Sequence, residues 1–455
     1  MRRTSRKAEP KGRTPVQVID LRHDVGRVRE RLPRAEFDLR AATAAAAPVV
    51  EDVRTRGLDA VLDATRKFDG LDLKTVRVPP EELQRALDAL PPAVRHALDT
   101  SIDRARKVHR DQMPAPVSTQ LAGSSTVSYS WLPVARVGLY APGGLAAYAS
   151  SVVMNVVPAQ TAGVVSLAVC SPPQPDTGWP AAPVMAACAA LGVSEVYAVG
   201  GAQAIAMLAY RAAAPDGAMV CQPADVVTGP GNIYVAAAKR IVQGDVGIDS
   251  EAGPTEIMIQ ADGNADPAYV AADLLSQAEH EPGAAALLVT PSEELIRNVQ
   301  RELRARLAAT RHSSRAGRAL EGRQSALVLV RDLEQGLEVV NDYAAEHLEI
   351  LTRNALELAG QVTAAGAIFV GPWSPVSLRD YCAGSNHVLP TSGNARHASG
   401  LSVYTFLCGV QTIHYDRAGL AQVAGDVVAF SGAEDLPAHG EAVLARIPDA
   451  ARSDL

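Results

Sequence analysis

An α/β chain built on parallel sheets is predicted by three features of the sequence. Short apolar, β-branched runs alternate with Ala-rich helical stretches, the pattern of buried parallel strands joined by crossover helices. Nearly every such run ends in Gly or Pro, where a strand hands over to a loop. At 455 residues the chain exceeds what one hydrophobic core usually serves, so two or more domains are expected.

Taken in order, residues 1–14 carry five Arg and Lys before Gly12 and no apolar segment of the kind a secretory leader needs, so a disordered basic tail is expected. A transit peptide is the rival reading, and Pro10 and Gly12 oppose the amphipathic helix it requires. From Thr14 to about Gln112 apolar residues recur at three- and four-residue intervals, predicting helices broken at Asp69-Gly70, Pro79-Pro80 and Pro91-Pro92. Strands are then expected at 135–140, 166–170, 195–199, 225–227, 256–260, 285–290, 326–330 and 367–370. Their exits read Ala-Pro142-Gly-Gly144, Ser-Pro172-Pro173, Gly200-Gly201, Thr228-Gly-Pro-Gly231, Pro291-Ser and Gly371-Pro372. In open parallel sheets ligands gather at such carboxyl ends, and several Gly-rich exits suggest a large ligand. No GxGxxG follows any of these strands, so the standard dinucleotide fingerprint is missing.

Composition excludes several classes of partner. With 43 Lys and Arg against 50 Asp and Glu, the formal net charge of −7 creates no field for nucleic acid or an anionic membrane. No apolar run approaches the ~20 residues a membrane-spanning helix needs. Five widely spaced cysteines without a CxxC suggest neither a disulfide framework nor a thiolate metal site, and fit a reducing cytoplasm.

The densest chemical signal is Asp273-Leu-Leu-Ser-Gln277-Ala-Glu-His280. On a regular helix Asp273, Gln277 and His280 share one face at i, i+4 and i+7, which gives part of a metal site. Taken alone, Gln277 and His280 read more readily as caps on a solvated helix face than as ligands.

Eight collinear segments give that octapeptide company: 137–144, 198–203, 229–235, 251–256, 274–280, 346–350, 380–390 and 434–439. They include Ala-Val-Gly-Gly-Ala-Gln203, Gly229-Pro-Gly-Asn232, Glu346-His347-Leu-Glu-Ile350 and Asp380-Tyr-Cys-Ala-Gly-Ser-Asn-His387-Val-Leu-Pro390. In content and order the set resembles the histidinol dehydrogenase family. The resemblance implies two related parallel-sheet domains of incomplete Rossmann topology, like those of aldehyde dehydrogenases, with a helical N-terminal part and an extended helical C-terminal tail. It implies oxidation of L-histidinol to L-histidine through the aldehyde, the last two steps of histidine biosynthesis, with two NAD+ and a bound Zn2+. It also implies an intertwined homodimer. The expected division is residues 15–135 with 251–385 as the zinc and substrate domain, 136–250 as the NAD domain, and 386–455 as the exchanged tail.

Carried over position by position, the resemblance implies zinc ligands Gln277, His280, Asp380 and His439, a donor set of amide oxygen, carboxylate and imidazoles that zinc accepts. It implies Glu346 and His347 for acid–base work, His347 taking the hydroxyl proton and Glu346 activating water. Tyr140, Gln203 and Asn232 fall at NAD positions. Thr255, Gln277, His280, His347, Asp380, Glu434 and His439 fall at substrate positions, with His387 a further candidate. Glu434 and His439 lie in the tail and are expected to reach the neighbouring subunit's site. Thr255 departs from a common serine, and Leu145 replaces the polar or small residue expected there. Neighbours on a regular helix point ~100° apart, so Glu346 and His347 can serve one substrate only at the end of an element. Without the resemblance, Ala-Ala-Glu-His-Leu reads as exposed helix. The alternatives are an aldehyde dehydrogenase-like enzyme with Cys170 as nucleophile, and a zinc-dependent hydrolase or metal-binding scaffold.

Overall fold

The computed structural model describes residues 16–447 except 25, 27, 36–37, 122, 144–146 and 251–252. The basic tail and the Leu145 departure lie outside the described residues.

Two parallel sheets organise the chain. The larger runs in the order Gln17–Asp20, Ala326–Leu329, Ala285–Thr290, Glu256–Ala261, His347–Leu351, Ala367–Val370, with every neighbouring pair parallel. Its central strands are buried along their whole length, because crossover helices cover both faces. The smaller has the order Gly247–Ile248, Val226–Thr228, Arg136–Tyr140, Ser166–Ser171, Val196–Ala198, also all parallel. Each expected strand is present within a residue or two of its predicted bounds. A third, antiparallel sheet joins Val117–Gln120, Thr126–Pro133 and Leu407–His414. Its strands are largely exposed and mix polar with apolar residues, so they carry no apolar run to betray them.

The N-terminal helices occupy Leu39–Arg56, Leu58–Asp69, Pro80–Asp88 and Pro92–Asp111, broken at Gly70 and at the two Pro pairs as predicted, and also at Gly57, which was not. Pro80 and Pro92 each open a helix, where a missing N–H costs nothing. The helical reading fails at the start of that region, since Gln17–Asp20 is a strand on the edge of the larger sheet. The helices bury Ala42, Val50, Val61, Leu83 and Ile102 in cores shared with Leu139, Ile205 and Val227 of the smaller-sheet half. The described part of 15–135 is therefore split: the strand Gln17–Asp20 joins the larger sheet, while the four helices pack on the smaller-sheet half.

Two local readings are corrected. The helix bearing Asp273 and Gln277 spans Pro267–Ala278 and is capped at Glu279, so His280 lies in the following turn, its N–H bonded to the Gln277 carbonyl. Gln277 is 2% exposed, which removes the reading of a solvated face. Glu346 and His347 are not on an exposed helix either. The helix Leu333–Tyr343 ends at Ala344 with φ 54, and His347 opens the buried strand His347–Leu351. Adjacent side chains can then meet one ligand because they sit where an element begins.

Candidate active site

The expected acid–base pair, Glu346 and His347, sits at the amino edge of the larger sheet, where Glu256–Ala261 and His347–Leu351 start side by side. Glu346 Oε2 accepts from Thr255 Oγ1 at 2.6 Å and from the Glu256 backbone N–H at 2.9 Å. Thr255 Oγ1 in turn accepts from Gln277 Nε2 at 2.6 Å. The methyl of Thr255 therefore does not stop its hydroxyl from linking the Gln277 amide to the Glu346 carboxyl. Burial pushes the Glu346 carboxyl up to about 8, against the pull of Arg379, Thr255 and the Glu256 N–H.

His347 is 1% exposed, and its Nδ1 lies 2.7 Å from the Glu256 carbonyl oxygen. A carbonyl only accepts, so Nδ1 carries the proton and Nε2 keeps its lone pair. Burial, and then the nearby Arg379, hold the imidazole well below its ordinary pKa, so it is neutral at physiological pH. Nε2 is met by a guanidinium N–H of Arg379. The other side of that guanidinium donates to Asp380 Oδ1 at 2.7 Å. Burial raises the Asp380 carboxyl, but Arg379 and His387 outweigh it and the group stays ionised. His387 places Nδ1 3.7 Å from Asp380 Oδ1 and Nε2 3.2 Å from Ser151 Oγ, and burial lowers it to about 4. His280 is likewise lowered by burial, against the attraction of Asp380.

One turn below Gln277, Asp273 is hydrogen-bonded to Glu349, two residues along the strand from His347. Burial, and then the neighbouring Asp273 carboxyl, raise Glu349, and burial raises Asp273, so the pair holds protons more tightly than free carboxyls do.

The expected nucleotide residues lie at the carboxyl edge of the smaller sheet. There the chain order reverses between Arg136–Tyr140 and Val226–Thr228, which opens a crevice. Tyr140 ends one strand, and its hydroxyl accepts from the Gly201 N–H at 3.2 Å. Gln203 lies in the first turn of the helix Gly201–Tyr210 and is 2% exposed. Asn232 caps the helix Ile233–Val242, accepting from the N–H groups of Tyr234 and Val235, and is exposed. Between them Gly229 adopts φ +118, and a Cβ there would fall 2.0 Å from the Tyr140 carbonyl oxygen. A buried ion pair fixes that glycine. Lys239 Nζ donates to the Gly229 carbonyl at 3.1 Å and pairs with Asp249, which accepts from the Gly229 N–H at 2.8 Å.

Residues 32–447 match the family model described as histidinol dehydrogenase. The chain belongs to the histidinol dehydrogenase family. It is thereby an oxidoreductase. The histidinol dehydrogenase of Thermobifida fusca is 57% identical over 437 residues, 96% of this chain and 98% of that one. That of Mycolicibacterium smegmatis is 57% identical over 432 residues, 94% of this chain and 97% of its own. A crystal structure of histidinol dehydrogenase from Elizabethkingia anophelis matches with a TM-score of 0.88 at 30% identity, covering 96% of this chain and 99% of that one.

Against the ligand set the resemblance implies, one chain brings together Gln277, His280 and Asp380, with Thr255, Glu346, His347 and His387 around them. It does not bring Glu434 or His439. Both are exposed, on the far helical pair Arg417–Ala433 and Pro437–Leu444, where with Val427, Phe430 and Leu436 they line a 430 Å³ cleft. Accordingly no three His, Cys, Asp or Glu side chains converge on a metal-sized point among the described residues. The donor chemistry nevertheless suits a divalent ion: a neutral imidazole, an ionised carboxylate, and an amide whose nitrogen is already spent on Thr255, which leaves its oxygen as donor. Cys170 fails as a nucleophile: it is fully buried within the smaller sheet, and burial raises its thiol well above the ordinary value.

Sequence reading missed Arg379, Glu256 and the Asp273–Glu349 pair. The Arg-Asp dipeptide at 379–380 was a visible signal, although side by side such residues usually form a surface ion pair.

Proposed function

We propose that this chain oxidises L-histidinol to L-histidine through L-histidinal in two NAD-linked steps. The observation that carries the reading is the neutral His347 imidazole, its Nδ1 locked onto the Glu256 carbonyl and its Nε2 lone pair facing Arg379, with Glu346 one residue away. His347 Nε2 takes the hydroxyl proton of the alcohol, and again that of the hydrated aldehyde. Glu346, with a carboxyl that titrates near neutrality, exchanges a proton with the water that hydrates the aldehyde. Thr255 and Gln277 hold that carboxyl in place.

Gln277, His280, Asp380 and His439 would hold zinc, which when bound supplies a positive template for the amino alcohol. Tyr140, Gln203 and Asn232 would border NAD, which when bound accepts hydride. The exposure of Glu434 and His439, together with Phe430 at 70% exposed in the same cleft, supports a homodimer in which these residues complete the partner's site. Five free cysteines fit a reducing cytoplasm, and no helix among the described residues is long and apolar enough to cross a membrane.

Mixing inactive His280→Ala and His439→Ala subunits tests the shared site: histidinol-dependent NADH formation should reappear, since one heterodimer site is intact. Subunit exchange without recovery would refute it.

A further inference from the structure

Arg379 has no part in the chemistry above, yet it lies at its centre. It is 4% exposed, donates to Asp380 Oδ1 at 2.7 Å and to His347 Nε2, and leaves its own Nε without a partner. The Phe369 ring lies 6.0 Å from its guanidinium carbon. Asp380, His347, His280, His387 and Glu346 all feel its charge. A guanidinium is always protonated and only donates. It therefore occupies the two lone-pair groups that the proposed reaction needs elsewhere: the carboxylate of a metal ligand and the nitrogen of the base.

Building on the metal reading above, we propose that Arg379 is a resident cation that competes with the divalent ion for Asp380. Two positive centres cannot share one buried carboxylate without strong repulsion, so metal loading must drive the guanidinium off Asp380. The same movement withdraws it from His347 Nε2. Loading of the metal and release of the base are then one event, and the chain binds its metal more weakly than its donor set alone would.

The test is zinc affinity, measured by chelator competition on the stripped full-length homodimer, with the zinc-induced rise in melting temperature as a second readout. Arg379→Ala should bind zinc on the order of tenfold or more tighter than the unaltered protein, through loss of a like charge beside the site. Its melting temperature should rise further on adding zinc. Arg379→Lys, which keeps the charge, should stay within about threefold of the unaltered protein. Asp380→Asn should weaken binding in both backgrounds. Equal or weaker binding by Arg379→Ala overturns the proposal, and so does a Lys variant that behaves like Ala. Absence of zinc binding in every variant would overturn the metal reading itself and the proposal with it.

Discussion

The two sheets present opposite edges to their ligands. In the smaller sheet the residues proposed to border NAD stand at the carboxyl edge, where the helices Gly201–Tyr210 and Ile233–Val242 begin. In the larger sheet the proposed acid–base pair stands at the amino edge, near where the helices Pro267–Ala278 and Val376–Tyr381 end. Helix N-termini favour anions and C-termini favour cations. One edge is thus suited to a pyrophosphate and the other to a metal ion, on the same strand–helix repeat. The charges follow suit. At the carboxyl edge the buried pair Lys239–Asp249 is internally neutral and already fixes Gly229. At the amino edge the Arg379 guanidinium faces Asp380 and the His347 imidazole, and a further cation can change the arrangement.

The largest expected effect separates the halves by stability. Lys239→Met leaves Asp249 buried without its partner and should cost roughly 3–5 kcal/mol in urea unfolding. The double variant with Asp249→Asn should recover part of that loss; no loss in the single variant would mean the nucleotide edge is not held by this pair. Next, His347→Asn should lower turnover ~100-fold or more while bound zinc and the KM for NAD stay nearly unchanged. Parallel loss of zinc would make His347 a ligand.

A smaller effect concerns pH. Glu349 is raised from 4.5 to about 9, so its contribution to stability is full below pH 4.5 and is lost as pH climbs toward 9. Glu349→Gln keeps a hydrogen-bond donor for Asp273 and should remove that decline. It should be more stable than the unaltered protein at pH 9 and lose this advantage near pH 5. A constant difference across that range would show that Glu349 holds its proton no more tightly than a free carboxyl does. The smallest effect is Cys170→Ala, which should leave turnover within about twofold; an inactive variant would bring back the covalent reading.

Much of the fold was legible because a strand buried on both faces must be written in apolar letters, as Ala285–Thr290 and Ala326–Leu329 are. His347–Leu351 escaped because two of its five buried residues are ionisable, and the groups they face, the Glu256 carbonyl and Asp273, lie far away in the chain. His280 was set on a helix face because periodicity does not reveal where a helix stops. The donor types at 277, 280 and 380 were readable from the motif resemblance. Arg379 was not, since only burial distinguishes a resident cation from half of a surface pair.

Counting NADH against histidine formed from L-histidinol tests the central claim most directly, since one buried acid–base pair is held to serve both oxidations. Two NADH per histidine, with no aldehyde released, is the predicted result. One NADH per histidinol, with aldehyde accumulating in solution, would contradict it.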